Sequence, residues 1–127
     1  MSVQLNHTIV WCRAKQRSAA FLTELLGLGA PVRFGPFLVV EFGNGVSLDF
    51  HDVEGEIASQ HYAFLVGEDD FDKILTRIRE KGLEHWADPG QTRLGEINRR
   101  DGGRGLYFAD PDGHLLEILT RPYGSGG

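Results

Sequence analysis

Apolar and polar residues alternate along this chain with two periods, and the pattern of the first half returns in the second. Apolar runs at 5–12 (LNHTIVWC) and 60–66 (QHYAFLV) predict strands, each with a histidine near its start. Both runs are followed by apolar residues at helical spacing, which predict two amphipathic helices. Gly27 and Gly82 come after these stretches and predict the helix ends. The predicted helix faces are Phe21, Leu22, Leu25 and Leu26, then Phe71, Ile74, Leu75 and Ile78.

Each half continues into a predicted β-hairpin. In the first, strands at 37–42 and 46–50 flank the sequence Gly-Asn-Gly, and in the second, strands at 105–109 and 114–120 flank Asp-Pro-Asp-Gly. These residues favour tight turns, because they tolerate or pre-set the backbone angles that a turn needs. His114 directly follows the second turn and is expected to be exposed.

Segments 31–35 and 83–87 are predicted to supply the strand after each helix, so the order β-α-β-β-β occurs twice. One such unit would leave a face of its sheet uncovered, which predicts that two units pair. We therefore expect an α+β fold and a single domain of two modules, about 1–56 and 57–123. Residues 124–127 are expected to form a disordered tail.

The composition indicates a globular protein that handles a small molecule. The chain has 127 residues and a formal charge of -5, which disfavours a nucleic-acid backbone as a partner. No apolar run approaches the roughly 20 residues of a membrane-spanning helix, and the N-terminal segment lacks the basic and apolar regions of a signal peptide. Cys12 is the one cysteine, so no disulfide can form within the chain, and a cytoplasmic location is expected.

Two histidines and two acids occupy equivalent places in the repeat. His7 and His61 lie 20 and 21 residues before the glycine that ends the helix of their half. When the hairpins are aligned on their turn glycines, an acid follows four residues later in each, Asp49 and Glu117. Successive side chains of a strand point to opposite faces, so Cys12 is predicted to lie under a helix, on the face opposite His7.

These positions predict a metal site. The more uniformly apolar face of each sheet should lie against its helix, which leaves His7, His61 and Glu117 on the other face, with Asp49 in phase. Imidazole and carboxylate ligands suit Fe, Mn, Ni or Zn, and two histidines with one acid leave positions for water and substrate. A lone histidine or acid in a strand is usually a satisfied or solvated residue. The repeated placement favours ligands, and Asp49 stays open as a fourth.

The segments LNHTIVW, QHYAFLV and GRGLYFADPDGHLLEI resemble the vicinal oxygen chelate superfamily. That superfamily includes glyoxalase I, extradiol dioxygenases, fosfomycin-resistance thiol transferases and bleomycin-resistance proteins. The resemblance covers essentially the whole chain and implies paired βαβββ modules that form a curved mixed sheet around a central cleft, commonly in a homodimer. It also implies that His7, His61 and Glu117 are the metal ligands. Tyr107 belongs to the pattern shared with the extradiol enzymes.

Further candidates come from this pattern and from the arginine-rich segment 88–105, which is either a lid over an anionic substrate or a solvated surface loop. Extradiol enzymes place a proton-donating histidine several residues before the tyrosine, and this chain has Arg99 near that place. Arginine stays charged at neutral pH and cannot shuttle protons. Candidate catalytic residues are Tyr107 and Asp49, and candidate substrate-binding residues are Trp11, His51, Arg99 and Arg121.

The leading interpretation is a small metal-dependent enzyme, either a lyase or isomerase of glyoxalase type or a dioxygenase. A divalent ion would chelate two vicinal oxygens of the substrate and stabilise a developing oxyanion. The alternative is a non-catalytic homodimer that binds an antibiotic or another small molecule, as bleomycin-resistance proteins do, and a third possibility is a metal-dependent sensor. The ligand set favours an enzyme, because such binding proteins generally lack it.

Overall fold

The computed structural model describes residues 2–126 and divides into two units after Ile57, close to the predicted module boundary. Each unit contains one mixed sheet and one helix, which confirms the α+β class. The first unit comprises β1 (His7–Cys12), α1 (Lys15–Leu26), β2 (Val32–Phe34), β3 (Phe37–Glu41) and β4 (Ser47–Asp52). The second comprises β5 (His61–Leu65), α2 (Glu68–Glu80), β6 (Gly105–Ala109) and β7 (Leu115–Leu119), with a short 3-10 turn at Arg100–Gly102 before β6.

The first sheet has the strand order β1-β4-β3-β2, in which β1 and β4 run parallel and the other pairs antiparallel. Helix α1 packs against β3 and β4. Val10 and Cys12 of β1 are buried, whereas Trp11 between them is 43% exposed. The predicted alternation is therefore confirmed, and Cys12 lies on the face opposite His7.

The second sheet repeats this arrangement with the order β5-β7-β6, and β5 again runs parallel to the last strand of its unit. Leu116 and Ile118 of β7 are buried. Helix α2 buries all four of its predicted apolar positions: Phe71, Ile74, Leu75 and Ile78.

The turn glycines of the two hairpins adopt the backbone conformation that the sequence requires. Gly45 has a φ of 83° and Gly113 a φ of 85°. A side chain is strongly disfavoured at such angles, so glycine fixes where each turn ends and sets the register of the strand that follows.

The predicted strand at 83–87 is wrong. Only Trp86 of this segment pairs with β6, as an isolated bridge in which it exchanges both backbone hydrogen bonds with Tyr107, at 2.9 and 2.8 Å. The neighbouring backbone groups bond instead to the loop that follows: the Ala87 amide donates to the Arg93 carbonyl, and the Gly95 amide to that of His85. A longer ladder would pair residue 88 with Gly105, but Gly105 exchanges both of its backbone hydrogen bonds with Asn98, at 2.9 and 3.0 Å.

The end of the chain also differs from expectation. Residues 124–126 form a turn in which the Gly124 and Gly126 amides donate to the Asp101 carboxylate, at 3.1 and 3.3 Å. Residue 127 lies outside the described residues. Between residues 2 and 126, neither helix has the length and apolar character to span a membrane.

Candidate active site

The predicted histidine and acid of each unit occupy the same register. In the first unit His7 pairs with Ser47, and Asp49 pairs with the residue two positions after His7. In the second unit His61 pairs with Leu115, and Glu117 pairs with the residue two positions after His61. Because the side-chain period of a strand is two, the histidine and the acid share one face of their sheet in both units.

His61 and Glu117 are in direct contact. Their Nε2 and Oε1 atoms are 3.1 Å apart, and the carboxylate is only 1% exposed, whereas the histidine side chain is 47% exposed. The Nδ1 atom of His61 lies 2.9 Å from the Leu115 carbonyl oxygen, which can only accept, so Nδ1 donates. In the neutral ring Nε2 then carries a lone pair that faces the carboxylate. Two facing acceptors require a proton or a cation beside them.

This pair has the spacing of two adjacent metal ligands. Nitrogen and oxygen ligands about 2.1 Å from one ion and at right angles to each other lie about 3 Å apart. The observed separation is 3.1 Å. A carbonyl that fixes one ring nitrogen and leaves the other for a metal is also the usual environment of a histidine ligand. His61 and Glu117 therefore fit a divalent ion.

The second oxygen of Glu117 accepts a hydrogen bond from the hydroxyl of Tyr123. That hydroxyl lies 2.9 Å from the Tyr107 hydroxyl, and Nη1 of Arg100 donates to Tyr107 at 2.8 Å and to Tyr123 at 3.3 Å. Tyr123 as a whole is 57% exposed, but desolvation around its hydroxyl, followed by the bond to Glu117, raises its pKa, so this hydroxyl keeps its proton.

Tyr107 is brought into this cluster by the sheet itself. It is buried in β6, directly opposite Glu117 of β7. Its ring stacks on that of His61, with ring centroids 5.9 Å apart and an interplanar angle of 29°. The predicted residues Tyr107, His61 and Glu117 thus converge in the second unit.

The first unit arranges its predicted residues differently. The Asp49 carboxylate accepts a hydrogen bond of 2.8 Å from the Ser47 hydroxyl. His7 is exposed, and its Nδ1 atom lies 2.7 Å from the side-chain oxygen of Asn6. Within either unit, the described residues contain no group of three or more histidine, cysteine, aspartate or glutamate side chains arranged to hold a metal. A three-ligand site with His7 therefore stays a prediction.

The two predicted aromatic pocket residues do meet. Trp11 and His51 are register partners on β1 and β4, and their rings contact edge to face with centroids 5.4 Å apart. Phe37 contacts the same imidazole at 5.2 Å. The first unit therefore presents a partly exposed aromatic surface on the face that carries His7.

The contacts of the two predicted arginines differ from the prediction. Arg99 is exposed, and it is the next residue, Arg100, that contacts the tyrosines. Arg121 donates to the Ser125 carbonyl at 2.9 Å and so braces the end of the chain. Arg100 and Tyr123 were not predicted. Arg100 stands beside Arg99 in the same segment, but no periodic pattern marks Tyr123, which follows the last strand.

His114 is buried, contrary to expectation. Its Nδ1 atom accepts a hydrogen bond from the Gln60 amide, and its ring contacts that of Tyr62 edge to face. The position after a turn suggested solvent, but the strand phase turns this side chain towards the face that also buries Leu116.

Comparison with known proteins identifies relatives along the whole chain. A sequence model of the Glyoxalase/Bleomycin resistance protein/Dioxygenase superfamily matches residues 4–118. A solved structure named oxidase ChaP-H2 is 64% identical, with a TM-score of 0.97 and complete coverage of both chains. The glutathione transferase FosA of Serratia marcescens is 31% identical over 93% of this chain and 81% of its own. The metallothiol transferase FosB of Lysinibacillus sphaericus is 30% identical over 94% of this chain and 84% of its own.

Proposed function

Because the chain belongs to the Glyoxalase/Bleomycin resistance protein/Dioxygenase superfamily, also called the vicinal oxygen chelate superfamily, we propose that it is a metal-dependent oxidase of a small molecule. The observation that carries the proposal is the contact between His61 and the buried carboxylate of Glu117. A buried acid that faces an imidazole lone pair is costly to keep without a cation. That cost is offset if the pair supplies two of the ligands of a bound metal ion.

The proposed ligands are His7, His61 and Glu117. His61 offers Nε2, because its Nδ1 is occupied by a carbonyl, and Glu117 offers Oε1, because its Oε2 is occupied by Tyr123. His7 is the register equivalent of His61, which supports it as the third ligand. Two histidines and one carboxylate suit Fe(II) above all, with Mn, Ni and Zn as further candidates. When bound, such an ion would supply Lewis acidity towards two neighbouring substrate oxygens and, if it is iron, electron transfer to dioxygen.

The side chains around Glu117 set the chemistry that this site can perform. Arg100 keeps its charge and can stabilise an anionic substrate oxygen, but it cannot shuttle protons. The hydroxyl of Tyr107 can exchange a proton with a substrate, since it is joined to a second hydroxyl, that of Tyr123, at 2.9 Å. Asp49 is proposed as a general base or a fourth ligand.

Oxidation is favoured over thiol transfer by the relatives. The protein named as an oxidase shares 64% of its residues with this chain, and the named transferases share 31% and 30%. A purely ligand-binding role is less well supported, because these relatives are named as enzymes. Glyoxalase-type isomerisation is a weaker candidate, since neither the oxidase nor the transferases carry that name.

The proposal is tested by metal loading and oxygen uptake. Protein purified without a metal-chelating tag is incubated anaerobically with Fe(II), desalted and analysed for metal, and oxygen consumption is then followed with a series of catechols. Near-stoichiometric iron and substrate-dependent oxygen uptake are expected, and both are expected to be lost in Glu117→Gln and His61→Ala. Glu41→Gln is the matched control, because Glu41 is an exposed strand acid. Isomerisation of hemithioacetals or addition of glutathione, without oxygen uptake, would contradict the oxidase proposal.

A further inference from the structure

The two oxygens of Glu117 have separate partners. Oε1 faces His61, and Oε2 accepts the hydroxyl of Tyr123. Glu117 is 1% exposed, so its carboxylate is shielded from bulk water. The two partner side chains therefore determine how the carboxylate is rotated about its own Cγ–Cδ bond. A carboxylate held in this way presents one oxygen, and not both, to an ion beside His61.

The direction of the hydrogen bonds around Glu117 follows from which groups can donate. Arg100 can only donate and Glu117 can only accept. Arg100 donates to both tyrosine oxygens, so the Tyr123 proton points to Glu117 and the Tyr107 proton points to the Tyr123 oxygen. Tyr123 then accepts two bonds and donates one, which uses its full capacity. The result is a directed chain from Arg100 through Tyr107 and Tyr123 to Glu117.

Tyr123 is delivered to this chain by the last described residues. We name residues 121–126 the C-terminal strap. Within the strap, the Ser125 amide donates to the Pro122 carbonyl at 3.1 Å. The Asp101 carboxylate holds the strap through two of its amides, those of Gly124 and Gly126. Asp101 has a φ of 55°, a conformation that few non-glycine residues adopt, and it directly follows Arg100. The turn that contains Arg100 and Asp101 therefore holds the strap backbone through Asp101 and the Tyr123 hydroxyl through Arg100.

We propose that Tyr123 is a positioning residue for the metal site, and that the C-terminal strap exists to hold it against Glu117. The inference rests on the proposed function, since it concerns the same metal ligand. Tyr123 would keep Oε2 of Glu117 occupied, so that Oε1 is the oxygen offered to an ion beside His61. Hydrogen-bonding partners of metal ligands typically contribute 10- to 100-fold to metal affinity.

The test compares metal binding by apoprotein variants, with Co²⁺ as the probe because its visible spectrum reports coordination. Tyr123→Phe removes the hydroxyl alone. It is expected to weaken Co²⁺ binding by about 10- to 100-fold in competition with a chelating dye and to change the visible spectrum. Tyr62→Phe is the matched control, since Tyr62 is a partly buried tyrosine of the same unit outside this chain of bonds. It is expected to bind Co²⁺ like the wild type.

A second variant separates the strap from its tyrosine. Asp101→Gly removes the anchor but suits the positive φ at this position, so the backbone of the turn is retained. It is expected to weaken Co²⁺ binding too, but by a smaller factor than Tyr123→Phe does. Thermal denaturation of each apoprotein shows whether a variant is folded, and a fall in melting temperature without a change in affinity or spectrum would mean a merely structural role.

The possible failures are distinguishable. If the wild type binds Co²⁺ and Tyr123→Phe has the same affinity and spectrum, the positioning role is overturned and the proposed function stands. If the wild type binds neither Co²⁺ nor Fe(II), the proposed function fails, and the role of Tyr123 fails with it.

Discussion

The imidazole of His114 and the backbone amide of Gln60 are joined by a hydrogen bond of 3.0 Å to Nδ1. The Gln60 carbonyl oxygen in turn accepts a hydrogen bond of 2.9 Å from the Leu115 amide, and the Leu115 carbonyl oxygen accepts one from Nδ1 of His61. The turn before β7 is therefore clamped to the start of β5 at the residue that precedes the proposed metal ligand. A side chain that is not itself a ligand thus fixes where His61 stands.

His114→Phe is predicted to lower stability. The variant fills the buried space but leaves the Gln60 amide without an acceptor, which costs about 1–3 kcal/mol. Urea denaturation at neutral pH measures the loss. His114→Asn, which restores an acceptor oxygen in a smaller side chain, separates the lost hydrogen bond from the changed packing. A His114→Phe protein as stable as the wild type would contradict the clamp.

A second buried histidine predicts how stability depends on pH. His85 is 6% exposed, and among the described residues its Nε2 atom has no hydrogen-bond partner. Burial, and then the charge of Arg79, lowers the pKa of His85. The unfolded chain therefore binds a proton in the interval between that lowered pKa and the ordinary value of about 6.5, where the folded protein does not.

Stability is predicted to fall as the pH falls below about 6.5, and the His85 contribution has a maximum slope of about 1.4 kcal/mol per pH unit. The free energy of unfolding, measured from pH 5 to pH 8 for wild type and His85→Phe, checks this. The difference between the two proteins should change across that interval and stay constant above it. Parallel curves would show that His85 does not carry the effect.

Arg104, the residue before β6, links the start of that strand to the first turns of α2. It donates to Glu68 at 2.8 Å and to Asp72 at 2.7 Å, and its guanidinium lies over the ring of Phe71. The bond from Arg104 lowers the pKa of Asp72, so the stabilisation is present above the ordinary pKa of that carboxyl and is lost as the pH falls below it.

Arg104→Met is predicted to lower the urea midpoint at low salt, because methionine keeps the apolar contact and loses the charge. The difference from wild type should shrink at 1 M salt, where the screening length is about 3 Å. Lys73→Met, which removes an exposed charge from the same helix, should show neither effect. A loss that does not depend on salt would assign the role of Arg104 to packing alone.

The neighbouring arginines of the 88–105 segment differ in what they contact, and this predicts different effects on catalysis. Both are exposed, but Arg100 reaches the hydroxyls beside Glu117, at 2.8 and 3.3 Å. Arg100→Gln is predicted to lower kcat/KM towards a catechol by about tenfold or more, as expected for a lost bond from a charged donor. Arg99→Gln should have the smaller effect. Steady-state oxygen uptake by both variants measures the two effects. A larger loss in Arg99→Gln than in Arg100→Gln would favour Arg99, the candidate predicted from the sequence.

The part of the site that obeys strand periodicity was predictable. The alternation of side chains in β1 and β7, with turn glycines that fix the register, is enough to place His7 opposite Cys12 and Glu117 opposite Leu116 and Ile118. The α+β class follows from the same kind of pattern, since each half contains segments with the apolar period of a strand and a segment with that of a helix.

The missed parts depend on contacts between irregular segments. Arg100 and Tyr123 meet because a turn with a positive φ at Asp101 captures amides more than 20 residues away. No local pattern encodes such a pairing. The strand expected at 83–87 failed for a related reason, because Asn98 of the irregular segment takes the backbone groups of Gly105 that would extend the pairing of Trp86 with β6. The homodimer and the cytoplasmic location stay predictions.

The matched registers of the two units also have an evolutionary meaning. A duplicated module would begin with two copies of the same histidine and acid, and neither copy needs both for its apolar core. Asp49 accepts a hydrogen bond from a serine hydroxyl in one copy. Glu117, the equivalent acid of the other copy, has an imidazole on one side and a tyrosine on the other. Duplication of this kind lets equivalent residues of a small protein acquire different partners while both halves keep the same fold.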